Sequence, residues 1–68
     1  MPDMELEATV IVQEIAITVM RDFDTEQRKS RFRLATEGKI RSLRENMDHE
    51  LADAVMRKME SISREYFP

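Results

Sequence analysis

The chain has no cysteine and no tryptophan, one histidine, one glycine and two prolines in 68 residues. Each shortage excludes something. Without cysteine there is no disulfide and no thiolate metal site, and its absence agrees with a reducing compartment. His49 alone cannot build a histidine metal cluster. It stands between Asp48 and Glu50, where a solvated helical histidine is the simplest reading. A single glycine rules out a glycine-rich phosphate loop, and no Ser/His/Asp set stands in the chain. A site for catalysis also needs a pocket, which a chain this short does not readily enclose. The sequence therefore points away from an enzyme and toward a chain with no cofactor and no metal.

Other absences concern location. The opening residues carry Asp3, Glu5 and Glu7, where a secretory signal would need positive charge. The apolar run that follows is interrupted by Gln13 and Glu14 and is shorter than the roughly 20 residues that span a bilayer. The expectation is a cytoplasmic protein that does not enter a membrane.

What is present is one unusually apolar stretch, from Leu6 to Phe23. On a helical wheel its apolar residues sweep through roughly 260°, and only Glu7, Glu14, Thr18 and Arg21 hold a polar edge. An element apolar on most of its circumference must be covered on more than one side. A domain of this size buries only about 60% of its unfolded surface, and small chains commonly add a partner chain to compensate. Self-association is thus the expected device. Composition complicates the local conformation, since eight of the twelve residues from Thr9 to Met20 are β-branched, and these favour strands. In favour of a helix, Asp3 suits an N-cap after Pro2, the early glutamates suit the positive end of the dipole, and Arg21 suits the negative end.

Asp22 to Gln27 reads as a turn, with Asp24 and Gln27 as a capping-box-like start to a second helix. Beyond it the chain is rich in helix formers. Phe32, Ile40, Leu43, Met47, Leu51, Val55, Ile62 and Tyr66 recur at spacings of threes and fours, with Ala54 and Met59 alongside. Glu37 and Arg41, Asp53 and Arg57, and Glu60 and Arg64 stand four apart in the favourable order. Ser42 with Glu45 offers a second helix start. Gly38, which costs a helix interior up to about 1 kcal/mol against alanine, is the expected break, separating 25–36 from 40–66.

The fold expectation is one all-α domain over residues 1–68: an antiparallel helical hairpin of two long helices, broken near Gly38, that pairs into a dimeric, coiled-coil-like bundle. Its dimer core would comprise Ala8, Ile11, Val12, Ile15, Val19, Phe32, Ile40, Leu43, Met47, Leu51, Val55 and Ile62. The alternative is α+β: an N-terminal strand, or a hairpin of Arg31–Leu34 and Lys39–Arg41 turning at Glu37-Gly38, followed by one long helix.

Charge is arranged in three blocks. Residues 1–27 hold seven acids and one base, residues 28–44 seven bases and one acid, and residues 45–68 six acids and three bases. Within the basic block 28–44, Arg28, Lys29, Arg31, Arg33, Arg41 and Arg44 are the first candidates for partner binding. In a hairpin the block would lie beside the acidic first segment and be neutralised there, within or between chains. As a nucleic-acid surface it has the right sign but lacks interleaved aromatics for stacking. Glu14, inside the apolar stretch, is the one acid that burial would perturb, or it would pair with an arginine of that block. The methionines suit ordinary core filling or an adaptable surface. Met56 falls off the main stripe and, with Phe67 and Ala35, outlines a second apolar surface, and Tyr66-Phe67 is an aromatic pair of the kind that anchors partners. These features favour a non-enzymatic, homodimeric interaction module, an adaptor or regulatory inhibitor acting on another protein's surface. The alternative is a small nucleic-acid-binding regulator.

Overall fold

In a computed structural model that describes residues 3–68, the chain forms three helices: α1 (Met4–Asp22), α2 (Thr25–Glu45) and α3 (His49–Tyr66). Pro2 lies outside the described residues. The helices run along the long axis of a body of 36 × 21 × 17 Å. Asp3 caps α1, accepting hydrogen bonds through its carboxylate from the Glu5 and Leu6 backbone N–H groups at 3.1 and 3.4 Å. The β-branched run is therefore helical. Its core-facing positions, Ala8, Val12, Ala16 and Val19, are spaced for a helix and buried, and tertiary packing outweighs intrinsic strand preference. The strand and the Glu37-Gly38 hairpin of the α+β alternative are overturned, for both segments lie inside helices.

The expected pair of long helices is corrected to three. Gly38 breaks nothing. It lies mid-way along α2, without positive φ, between good helix formers on both sides. The break falls instead at Asn46-Met47-Asp48, inside the expected 40–66 helix. The N–H of Asp48 donates to the Leu43 carbonyl at 2.8 Å and that of Met47 to the Arg44 carbonyl at 3.1 Å. This paired closure is a Schellman motif, which needs a left-handed residue at its centre. Met47 supplies it at φ 63°, although it lacks glycine's freedom there. Met47, assigned by spacing to the apolar stripe, is therefore 78% exposed.

Asp24 does stand at the N-cap of α2, but through its backbone. Its carbonyl accepts from Gln27 and Arg28 N–H groups at 2.9 and 3.1 Å, and its side chain makes no capping bond. Arg28 closes the other side of the same turn: its guanidinium donates to the Phe23 and Met20 carbonyls, each at 3.0 Å, satisfying the C-terminal end of α1 with a cation where the dipole favours one.

The core gathers around α3. Leu51, Ala52, Ala54, Val55 and Met59 are buried against α1 and α2, and small side chains on α1 and α3 (Ala8, Ala16, Ala52, Ala54) let the backbones approach closely. Phe67, just past α3, folds back and stacks on the fully buried Phe32, ring centroids 4.8 Å apart. Thr36, the fully buried polar residue of α2, donates its hydroxyl to the Phe32 carbonyl at 2.8 Å, so burial leaves it satisfied.

Candidate functional site

The positions expected to form a dimer core are, Met47 apart, already covered within one chain: Ala8, Val12, Val19, Phe32, Ile40, Leu43, Leu51 and Val55 are buried, and Ile11, Ile15 and Ile62 are partly so. The third helix covers one side of α1, yet apolar surface remains on two others.

The first is a groove of about 580 Å³ between α1 and α2. Ile11, Ile15, Val19 and Phe23 form its α1 wall, Leu34 and Ala35 its α2 wall, with Glu14 and Thr18 on one rim and Arg31 and Lys39 on the other. The guanidinium of Arg31 lies 4.9 Å from the centre of the Phe23 ring, a cation–π contact that holds one end of the basic rim. The second surface is the outer face of α1. Leu6, Val10 and Ile17, on one line of the helix, are 61%, 47% and 62% exposed. Their line leads into a hollow of about 250 Å³ bounded by Met20, Ile62 and Tyr66. Tyr66 is 54% exposed.

Three of the block's seven bases are engaged through hydrogen bonds or ion pairs, Arg33 and Arg44 with α3 and Arg28 with backbone carbonyls at the end of α1. Arg33 meets Glu60 at 3.3 Å and Arg44 meets Asp53 at 2.8 Å, both across the α2–α3 seam. Arg28 is spent on the α1 carboxyl end. The acidic first segment turns to α3 as well: Glu5 meets Arg57 at 2.6 Å and Lys58 at 3.9 Å. Among the described residues no ion pair joins α1 to α2, and the expected neutralisation between those segments is not formed within one chain. The i,i+4 partners also separate, since Asp53, Arg57 and Glu60 each find a partner on another helix. The Arg44 hydrogen bond holds the Asp53 carboxyl below the ordinary aspartate range, working against a smaller opposing effect of desolvation. Arg21 does the same for its neighbour Asp22 at 2.9 Å. Lys29, Arg31, Lys39 and Arg41 make no ion pair among the described residues.

The remaining candidates disperse. Phe67 is buried against Phe32, so of the terminal aromatic pair Tyr66 faces outward. Met56 is partly exposed on α3, whereas Ala35 lies in the α1–α2 groove; Met56, Ala35 and Phe67 do not form one surface. His49 is exposed at the first position of α3, and Glu14 is exposed at the groove rim. Among the described residues there is no group of three or more metal-ligating side chains, and no helix is long and apolar enough to cross a membrane. Sequence reasoning passed over Leu34 and Lys39 as site residues. Their signal was positional, since Leu34, with Ala35, stands off the stripe that carries Phe32, Ile40 and Leu43.

The fold and its two open apolar surfaces define a small antiparallel three-helix bundle of incomplete closure. Comparison with models of known protein families, with curated proteins and with solved structures finds no match.

Proposed function

We propose that this chain is a non-enzymatic, self-associating protein-interaction module of the cytoplasm, which works as an adaptor or regulatory inhibitor by occupying the surface of another protein. One observation carries the reading: after three helices have packed, α1 still presents Leu6, Val10 and Ile17 to solvent beside Tyr66. Contiguous apolar surface of this kind marks interaction sites in small soluble chains, and an exposed tyrosine at its edge is a usual anchor. A partner's amphipathic helix would lie along α1 and fill the hollow at Ile62 and Tyr66.

The test places a photo-crosslinking residue at Ile17 and, as a control, at Glu65, in cells of the source. A defined partner captured at position 17 and not at 65, and lost in Val10→Asp, supports the reading. Both Val10 and Ile17 are exposed, so the substitutions leave the bundle folded. Capture that is indifferent to Val10→Asp overturns it. The nucleic-acid reading predicts instead a mobility shift that weakens steeply with salt and vanishes in Arg31→Glu with Arg33→Glu.

A further inference from the structure

We infer that the α1–α2 groove is the seat of a second copy of this chain, held by two rows of opposite charge that only a two-fold arrangement brings together. This rests on the reading of the chain as an interaction module, and it assigns the groove to self-association while leaving the outer face of α1 to a different partner.

The argument is one of register and sign. Glu14 stands on the α1 rim of the groove, and Glu7 is on the same helix face seven residues earlier. Arg31 and Lys39 stand on the α2 rim. None of the four makes an ion pair among the described residues. The acids are about 10.5 Å apart along α1 and the bases about 12 Å apart along α2, at 1.5 Å per residue. Because α1 ends at Asp22 and α2 begins at Thr25, residues whose numbers add to about 47 lie level in the antiparallel pair. Glu7 is thus level with position 40 and Glu14 with position 33. A two-fold axis parallel to the helices preserves height and sets α1 of one copy over α2 of the other. It brings Glu7 opposite the second copy's Lys39 and Glu14 opposite the second copy's Arg31, and does so twice. Setting α1 over α1 would oppose acid to acid. A single surface that complements itself in this way is the requirement of an isologous contact.

Gly38 adds an independent observation. A Cβ at this position would meet nothing within 4 Å, so the fold of one chain has no need of glycine there. It lies one turn beyond Leu34 and Ala35 of the groove wall. A close-packed second helix would need the space that the single chain leaves empty.

The experiment uses the full chain and sedimentation equilibrium at micromolar concentration, with far-UV circular dichroism as the check on folding. One variant carries Glu7→Lys and Glu14→Lys, another Arg31→Glu and Lys39→Glu. Wild type sediments at twice the chain mass. Each variant alone loses affinity for itself by at least roughly tenfold, and an equimolar mixture of the two recovers the dimer, because each acid row then meets a basic row across the interface. Had the rows paired within one chain, mixing would restore nothing. Ala35→Arg, at an exposed position, gives a folded monomer without touching either row, which keeps the test decisive if a reversed variant fails to fold. A wild-type chain of single mass overturns the inference, as does a dimer indifferent to Ala35→Arg or a mixture that fails to recover. Any of these leaves the Ile17 crosslinking result unaffected: a single-mass wild type removes the self-association from the proposed function, whereas the binding of a different partner at the outer face of α1 is tested separately.

Discussion

The two sides of α2 differ in how they are closed. Toward α3, Phe32, Thr36, Ile40 and Leu43 are buried, Phe67 stacks on Phe32, and Arg33–Glu60 and Arg44–Asp53 span the seam. Toward α1 the seam opens into the groove, with its walls half-exposed and no ion pair across it among the described residues. The α3 side buries Leu51, Val55 and Met59 of α3 in one core with Phe32, Ile40 and Leu43 of α2, with opposite charges matched outside. The α1 side has Ile11, Ile15 and Leu34 in sequence but nothing within the chain to fill the space between them. Hydrophobic content therefore does not determine which seam closes. Complementary size and charge on the facing helix do.

Five measurements bear on the difference between the two seams. The largest effect belongs to Phe32→Ala, which empties the closed seam and leaves Phe67 without its stacking partner. A loss of about 3–5 kcal/mol is expected, enough to unfold a domain this small, and chemical denaturation should show little cooperative transition. Ile15→Ala, in the open seam, should cost only about 1 kcal/mol for a single chain, since the side chain is only partly buried there. A cost as large as that of Phe32→Ala would mean that the seam is covered in solution. Met47→Gly relieves a left-handed residue of its Cβ and should stabilise by about 1 kcal/mol, raising the thermal midpoint by roughly 4–8 °C; no rise would argue that the α2–α3 turn is not left-handed. Gly38→Ala should add about 0.5–1 kcal/mol to the isolated bundle, read under dilution, with the gain shrinking as concentration rises if a second copy packs there. The smallest effect concerns pH. Arg44 lowers the Asp53 pKa in the folded state, so this pair supports the fold above the ordinary aspartate range. That support fades as pH falls through the lowered value. Carboxyl NMR should show Asp53 titrating below a free aspartate, and Arg44→Ala should return it to the ordinary range.

How much of this was legible depended on which interactions a segment needed. The start of α1 was readable because Asp3 caps it locally, and the turn at Asp24 because turn and cap residues act over three or four positions. The α3 stripe of Leu51, Val55 and Ile62 was readable because its polar and apolar faces are well separated. The break at Asn46-Met47-Asp48 was missed because its left-handed residue is methionine; Asn46 and Asp48 on either side were the available cue, and Gly38 drew attention from it. The destination of the basic block was not readable, because Arg33 and Arg44 reach across to Glu60 and Asp53, and such pairings require knowing which helices are neighbours.

Read from residue order alone, the chain beyond Thr25 favours helix, the stretch from Leu6 to Phe23 is apolar on most sides, and acid and base fall in separate blocks, for these follow from composition and from spacing along one backbone. Packing settled that the β-branched first segment is helical, that there are three helices, that α3 closes against both others, and that Phe67 turns inward while Tyr66 stays out. Those outcomes depend on which side chains from distant positions fit the same space, a competition among packings that no single segment contains.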